Sequence, residues 1–202
     1  ILPKPLIPIN GKPIIDIIFD NFKSYGLNKF YLSTNYKSTL LETYFKETKR
    51  KAIYLKEKKP LGTAGALYNL RNENKNFIVT NCDTVININY LNFLDHHKKN
   101  KYDITITVAP KEVTIPYGIC KINNFNELVK IDEKPINDYL ISVGLYLINS
   151  KVFKLIPKNK SFDMNNLIDL AINKKFKIGI FRINKFSWKD IGNWTDFNKV
   201  KL

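Results

Sequence analysis

Apolar residues recur at two different spacings along the first 110 residues of the chain. Helical spacing predicts helices in "IIDIIFDNFKSYG" after Pro13 and over 38–49, 63–71 and 88–99. Short apolar runs between them predict strands at 28–34, 52–57, 76–83 and 102–110. Strands that alternate with helices over short connections are typical of a parallel sheet with helices packed on its faces.

The pattern changes after residue 110. The stretches "GICKINN", "ELVKIDE" and "YLISVGLYLIN" alternate or run apolar between turn residues, which predicts hairpins or mixed strands added to the sheet. A helix at 163–174, a strand at 176–183 and a last helix from about 193 follow. Because no linker or internal repeat interrupts the chain, we expect one α/β domain over residues 1–202.

The charge is strongly basic, at +15, but its distribution argues against a nucleic-acid partner. Only three of the 33 basic residues are arginines, and the lysines are spread along the whole chain. There is no zinc-finger spacing and no aromatic RNA-binding signature. Anionic small substrates also suit this charge. No run reaches the roughly 18 apolar residues of a membrane span.

Three other residue types are interpreted as structural. Cys82 and Cys120 have no metal-ligand spacing, so we expect buried, reduced thiols and a cytoplasmic protein. His96 and His97 lie among lysines on a predicted helix, where we expect surface or helix-end positions. Trp188 and Trp194 are expected to pack the last strand and helix onto the sheet.

The stretch "KPLGTAGAL" (59–67) concentrates small residues in a chain that has only eight glycines. Gly62 and Gly65 follow a predicted strand and open the next helix, where free N–H groups can bind an anion or a base edge. Side-chain bulk would prevent that approach. A tight strand-to-helix turn explains the same spacing, and the spacing alone leaves both interpretations open.

Two carboxylates end predicted strands far apart in the sequence. Asp83 closes "VTNCD", and Asp190 lies in "FSWKDIGNW". Ligands bind at the carboxyl ends of strands in open α/β sheets. Carboxylate oxygens without a nearby His or Cys cluster indicate Mg²⁺ rather than zinc. Lys4 in "PKP" and Lys134 in "EKP" each precede a proline, which favours extended backbone and projects the ammonium group.

In order, "LPKPLIPINGKPI", "KPLGTAGAL", "TNCDT", "PYGIC", "DEKP", "SVGLYLI" and "WKDIGNW" resemble the sugar-1-phosphate nucleotidyltransferases over almost the whole chain. The "E-x-x-P-L-G-T-A-G-A-L" version is most similar to the guanylyltransferase branch, which acts on mannose, heptose or glucosamine 1-phosphates in bacterial surface-glycan or nonulosonic acid precursor synthesis. The resemblance implies a Rossmann-like, mixed but mostly parallel sheet with helices on both faces. It also implies Mg²⁺-dependent transfer from a nucleoside triphosphate, which is GTP in this branch, to a sugar 1-phosphate with release of pyrophosphate.

The resemblance also implies a role for each motif residue. Lys4 would steady the triphosphate, and Asp83 and Asp190 would bind Mg²⁺. The base would lie on Gly62, Thr63, Ala64 and Gly65. The sugar phosphate would contact four residues of the later motifs, namely Gly118, Glu133, Lys134 and Gly144.

The sequence departs from the family pattern in one respect. The Gly-rich loop G-G-x-G-x-R-L and the strand before it, central in the family sheet, are not in these 202 residues. Two other functions stay open: a catalytically silent module that binds nucleotide sugars, and a nucleotide-sugar glycosyltransferase. The sequence leaves the oligomeric state undetermined, with a homo-oligomer as one option.

Overall fold

A computed structural model describes residues 2–35 and 38–190, without the side chain of Asp190. Five α-helices are described: α1 (Ile14–Ser24), α2 (Ser38–Glu47), α3 (Gly62–Gly65), α4 (Tyr90–Asn100) and α5 (Met164–Asn173). Twelve strands are described: β1 (Pro8–Ile9), β2 (Lys12–Pro13), β3 (Tyr31–Thr34), β4 (Ile53–Lys56), β5 (Asn76–Thr80), β6 (Thr84–Ile86), β7 (Ile104–Thr114), β8 (Ile119–Ile122), β9 (Leu128–Asp132), β10 (Ile136–Asn149), β11 (Ile178–Arg182) and β12 (Trp188–Asp190). Short 3₁₀ helices cover Lys4–Leu6, Ala66–Leu70 and Ser150–Leu155. The helix expected from about residue 193, with Trp194, lies outside the described residues.

The largest sheet is mixed, with the strand order β11-β7-β10-β5. Strand β10 is antiparallel to both of its neighbours, whereas β7 and β11 are parallel. A second parallel pair, β3 and β4, forms a separate two-stranded sheet. The mixed α/β architecture expected from the sequence is confirmed, and in the large sheet β10 forms both antiparallel pairs.

Helices cover both faces of the large sheet, as strand β10 shows. Alternate residues of a strand point to opposite faces. Leu145 and Leu147 pack in one core with α1 and α4, while Tyr146 and Ile148 pack in a second core with α5. This two-sided burial explains why β10 reads as a continuous apolar run rather than an alternating one.

Helix α1 begins directly after Pro13 and ends two residues before Gly26, which takes a φ of +77°. A network of charges joins it to the residues that follow α2. Arg50 binds Asp16 at 2.7 Å and Asp20 at 2.9 Å, and its hydrogen bond lowers the pKa of Asp20 to about 2. The network fixes the small β3–β4 layer against α1.

A cavity of about 370 Å³ separates the two sheets. The edge strands β3 and β5 line two of its sides, and apolar side chains of α1 and of the 3₁₀ helix Ala66–Leu70 line the others. Among the described residues no strand bridges β3 and β5. The sheet is therefore interrupted where these edges face each other.

The prediction of two buried thiols is wrong. Cys82 and Cys120 are both exposed and unpaired. Cys82 falls in the turn after β5 rather than inside the strand. Cys120 lies on the β8–β9 hairpin, where most residues of both strands are exposed. A strand-like sequence predicts burial only when another layer covers the strand.

The prediction of a surface position is also wrong for His97. Its side chain is buried, and its Nδ1 lies 2.8 Å from Thr105 Oγ1 of β7. His96, next to it, is partly exposed, and its Nε2 lies 3.0 Å from the carbonyl oxygen of Ile180. The last turn of α4 packs over β7, so a lysine-rich stretch still buries one of its faces. Trp188, by contrast, packs against the core as expected.

His97 should make stability fall in mild acid. Burial lowers the pKa of His97 below its ordinary 6.5, because the charged ring is poorly solvated there. The unfolded chain then binds the proton more readily, so stability is complete above about pH 6.5 and declines as the pH falls toward the folded-state pKa. Urea midpoints at pH 7.5 and 5.5 should differ in the wild type and differ less in His97→Gln. His96→Gln is the control, and an unchanged difference in His97→Gln would contradict the assignment.

Candidate active site

Asp83 lies in the turn that follows the apolar edge strand β5. Its side chain is about one-quarter exposed, and its Oδ2 lies 3.6 Å from Lys4 Nζ. Lys4 begins the first 3₁₀ helix and keeps its own side chain 63% exposed. Two motifs almost 80 residues apart therefore meet at this end of β5. The ion pair between them is long, so a substrate anion could replace the Asp83 carboxylate as the partner of Lys4.

The backbone also brings residue 190 to this end of the sheet. Strand β12 pairs antiparallel with β6, and Asp190 is the direct partner of Thr84. Paired Cα atoms are about 5 Å apart and consecutive ones 3.8 Å, so the Cα atoms of Asp83 and Asp190 lie within about 9 Å. Nothing is described of the Asp190 side chain. Asp83 and Asp190 are thus close in space, although they are far apart in the sequence.

Gly144 packs against the same turn. It has a φ of +76°, and its carbonyl oxygen accepts the N–H of Asn81 at 3.0 Å. A Cβ at position 144 would lie 2.5 Å from Asn81 Nδ2. Asn81 was not predicted as a site residue, although it precedes Asp83 by two positions. Its side chain fixes the approach of β10 to the Asp83 turn.

The small residues of "LGTAG" are packed against the segment 160–163. A Cβ at Gly62, where φ is +75°, would lie 2.5 Å from Asp163 Oδ1 and 2.8 Å from the carbonyl oxygen of Phe162. A Cβ at Gly65 would lie 2.7 Å from the Cβ of Leu61. Close packing of the chain is therefore sufficient to require both glycines. Base binding, the other explanation, is an additional proposal.

Two N–H groups of this turn already have partners. Thr63 donates to Asp163 Oδ1 at 3.1 Å, and Ala64 donates to the carbonyl oxygen of Phe162 at 3.0 Å. The N–H of Leu61 donates to Glu57 Oε2 at 2.8 Å, and Ser33 donates its hydroxyl to the other Glu57 oxygen. Neither Glu57 nor Asp163 was predicted as a site residue. Both hold the turn in place through backbone donors.

Thr63 should contribute to stability through its hydroxyl. Its Oγ1 accepts the N–H of Met164, the first residue of α5, at 2.8 Å. Thr63→Val keeps the shape and removes this cap, so the free energy of unfolding should fall by about 1 kcal/mol. Thr63→Ser is the matched control and should keep most of the stability. Equal denaturant midpoints for the two variants would show that the cap contributes nothing.

A further group of predicted site residues lies at the ends of strands β8 and β9, which project from the sheet: Gly118, Glu133 and Lys134. A Cβ at Gly118 would lie 3.0 Å from Glu133 Oε2. Lys134 Nζ lies 4.0 Å from Glu133 Oε1, and both side chains are about two-thirds exposed. Within the described chain, no ion pair links this group to Lys4 or Asp83. The structure thus brings the predicted site residues together in three groups.

The fit of a magnesium ion depends on the Asp83 carboxylate. Mg²⁺ is commonly held by one or two carboxylates together with substrate phosphates, rather than by a complete protein cage. Residues 2–35 and 38–190 hold no cluster of three or more His, Cys, Asp or Glu side chains suited to a metal. The Asp83 carboxylate, about one-quarter exposed at a strand end with residue 190 beside it, suits binding by one or two carboxylates and substrate phosphates.

The family profile of the nucleotidyl transferases matches the chain over residues 1–202. The chain belongs to this family. The resemblance stated from the sequence motifs is therefore confirmed, and the relatives of this nucleotidyl transferase are named enzymes.

The D-glycero-alpha-D-manno-heptose 1-phosphate guanylyltransferase of Aneurinibacillus thermoaerophilus is 29% identical over 99% of this chain and 88% of its own length. The bifunctional protein GlmU of Methanocaldococcus jannaschii is 31% identical over 94% of this chain, which spans only 46% of that protein.

A solved structure shares the fold of this nucleotidyl transferase. HddC from Yersinia pseudotuberculosis, complexed with GMP-PN, matches with a TM-score of 0.72 and 26% identity over 98% of this chain and 88% of that one. No described helix of the present chain is long and apolar enough to cross a bilayer.

Proposed function

We propose that this nucleotidyl transferase transfers a guanylyl group from GTP to a hexose or heptose 1-phosphate and releases pyrophosphate. The observation that carries the proposal is the meeting of Lys4, Asp83 and residue 190 at one end of β5. The guanylyltransferase relatives and the GMP-PN complex of HddC support GTP as the donor. The free thiols suit a reducing compartment such as the cytoplasm.

The chemistry requires two anions to be aligned and their charge neutralised. An oxygen of the sugar 1-phosphate attacks the α-phosphorus, and the bond to the β-phosphate oxygen breaks as pyrophosphate leaves. The attacking phosphate is already ionised near neutral pH, so no general base is needed. The exposed ammonium of Lys4 would leave Asp83 for the triphosphate, because a multiply charged anion outcompetes a carboxylate 3.6 Å away.

Asp83 and Asp190 would hold Mg²⁺, which would neutralise phosphate charge and orient the leaving group. Gly144 supports this end of the site by letting Asn81 lie close to β10. The oxygen ligands would act from a turn that is fixed on both sides, by β5 and by β6.

The base would lie on the turn formed by Gly62, Thr63, Ala64 and Gly65. The N–H groups of Thr63 and Ala64 already donate within the chain, so the base would contact other backbone atoms of the turn. The turn would thus act as a rigid platform held by Asp163 and Glu57, and not as a flexible loop that closes on the ligand.

The sugar phosphate would bind Glu133 and Lys134, whose exposed side chains are free to exchange their weak ion pair for hydroxyl and phosphate contacts. Gly118 would leave space for the sugar ring. Because this group makes no ion pair with the Lys4–Asp83 group in the described residues, the substrate itself would connect the two groups.

The test is a substrate matrix with the full-length protein. Each of GTP, ATP, UTP, CTP and dTTP is combined with Mg²⁺ and a panel of hexose and heptose 1-phosphates, and pyrophosphate release is measured. We expect release with GTP and one sugar class, and none without Mg²⁺. Nucleotide-sugar binding without release for any pair would favour the silent binding module. Transfer of sugar from a nucleotide sugar to an acceptor would favour the glycosyltransferase.

A further inference from the structure

One end of the large sheet carries a row of lysines, and the strand directions explain how it forms. Strands β5, β7 and β11 begin at this end, and β10, which is antiparallel to β5 and β7, finishes there. A lysine flanks each of these four strand ends within three residues. In the spatial order of the strands from β11 to β5, the four are Lys177, Lys101, Lys151 and Lys75. Because neighbouring strands lie about 4.8 Å apart, the row crosses about 14 Å of the sheet.

Backbone and side-chain contacts hold the segments of this row together. The carbonyl oxygen of Lys177 accepts the N–H of Asp103 at 2.7 Å, and that of Lys75 accepts the N–H of Ser150 at 2.8 Å. Lys151 Nζ lies 2.5 Å from Asp103 Oδ1. The sheet thus fixes the positions of the lysines, while their side chains stay exposed.

Two helices end beside the row and add four more lysines. The last turn of α4 carries Lys98 and Lys99, and α5 ends directly before Lys174 and Lys175. All four are exposed, and none belongs to an ion pair within residues 2–35 and 38–190. The carboxyl end of a helix favours nearby cations, which accounts for some of these lysines. It does not account for the row on the strand ends.

The charge of this surface is far above the average of the chain. We name it the basic end, and it comprises residues 73–75, 98–103, 149–151 and 172–177. These 18 residues hold eight lysines and two acidic residues, so they carry +6 of the formal charge of +15. Both acidic residues, Glu73 and Asp103, already pair with lysines of the basic end. Less than a tenth of the chain therefore carries more than a third of its net charge, which indicates a partner with many negative charges.

The side chains of the basic end favour a bilayer surface over a nucleic acid. All eight cations are lysines, and none is an arginine, the residue that binds phosphates and bases in a paired geometry. None of the large exposed aromatic side chains of the described residues, on which unpaired bases could stack, lies there. The exposed side chain of Ile172, in the last turn of α5, can instead enter a headgroup layer. Clusters of roughly four to eight basic residues are typical of proteins that bind anionic lipids.

The basic end lies opposite the candidate active site. Lys75 precedes β5 and Asp83 follows it, and the strand between them spans about 17 Å. A bilayer at the basic end would therefore leave Asp83 open to substrates, and binding at a bilayer surface needs no membrane span. We propose that the basic end binds this chain to the anionic surface of a bilayer, which goes beyond the proposed transferase function and does not depend on it.

The first test is co-sedimentation of the full-length protein with vesicles of phosphatidylcholine, either alone or mixed with phosphatidylglycerol. We expect binding to the mixed vesicles only, and loss of that binding as NaCl rises from 50 to 300 mM. The triple variant Lys98→Gln, Lys99→Gln, Lys174→Gln should lower the partition coefficient at least about 30-fold, because each lysine near an anionic surface contributes a factor of about five.

A second triple variant is the matched control. Lys58→Gln, Lys111→Gln and Lys158→Gln remove the same charge from exposed positions outside the basic end, and the partition coefficient should stay within about three-fold of the wild type. A wild type that does not bind the mixed vesicles, that binds neutral ones equally well or that still binds in high salt overturns the proposal. Equal losses in both triple variants also overturn it. Binding of a labelled RNA without binding of vesicles would assign the basic end to a nucleic acid instead.

A fluorophore sensitive to polarity tests which end of the molecule meets the bilayer. Ile172→Cys in a Cys82→Ser, Cys120→Ser background labels the basic end. In Cys82→Ser alone the label is attached to Cys120, beyond the far end of β7, whose 11 residues span about 36 Å. With mixed vesicles, emission should shift to the blue for the label at position 172 and stay unchanged for the label on Cys120. A shift on Cys120, or no shift at position 172, overturns the proposal.

Discussion

Asp83→Asn should lower turnover by at least two to three orders of magnitude while leaving the fold intact. The change removes the negative charge that would hold Mg²⁺ and keeps the size of the side chain. Loss of one group that stabilises developing charge costs about 10²–10³ in rate, and a direct metal ligand should cost at least as much. The half-saturating Mg²⁺ concentration should rise in the same variant. Pyrophosphate release across a Mg²⁺ series measures both effects.

Asp95→Asn is the control, because Asp95 is an exposed carboxylate on α4. It should keep normal activity, and both variants should keep the wild-type unfolding temperature. An Asp83→Asn enzyme with full activity and unchanged Mg²⁺ dependence would rule out the proposed metal role. Equal loss in both variants would point to a general effect of charge.

Gly62→Ala should reduce the free energy of unfolding by about 2–5 kcal/mol. A left-handed backbone costs a residue with a Cβ about 1–2 kcal/mol, and an overpacked contact costs about 1–3 kcal/mol more. The Asp163 carboxylate can rotate away from the new methyl group, but the carbonyl of Phe162, 2.8 Å from it, belongs to the backbone. The segment before α5 would have to move. Denaturant titration measures the loss.

Gly26→Ala separates the two contributions. Gly26 has nearly the same φ, +77°, and nothing lies within 4 Å of a Cβ built there. This control should lose only about 1–2 kcal/mol. Should Gly26→Ala and Gly62→Ala lose the same amount, the packing of the turn on residues 160–163 would not be what requires glycine at position 62.

These packing contacts change which experiment can test base binding. A valine at Gly65, the natural choice for blocking a base, would also press on Leu61, because the added Cβ lies 2.7 Å from that side chain. A higher KM for GTP in Gly65→Val would then mix lost packing with lost binding. A comparison of GTP with ATP in the wild-type protein tests the base site without disturbing the turn.

The order of motifs predicted the family and the general architecture well because both depend on local pattern. The helices at 14–24, 38–47 and 90–100 and the strands between them follow from apolar spacing and from turn residues such as Gly26. Asp83 could be chosen because it ends an apolar strand, and Lys4 because it precedes a proline in a motif that resembles the family. Their metal and phosphate roles stay predictions.

Burial was less predictable where it depends on a second layer. His97 lies beside lysines in the sequence, which is typical of exposed positions, but its side chain packs over Thr105 of β7. Cys120 lies in a strand-like run, but nothing in the described chain covers its face of the hairpin. Neither result could be predicted from neighbours in the sequence, because burial is a property of the element packed on top.

The amino-acid sequence by itself determined the element types, the family and the positions of the strand-end carboxylates, since periodicity and motif order are local properties of the chain. Only the tertiary structure decided why Gly62 and Gly65 carry no side chains, which residues hold that turn, and that residue 190 pairs beside Asp83. These depend on contacts between segments up to about 100 residues apart. Chain folding, and not local pattern, selects such contacts.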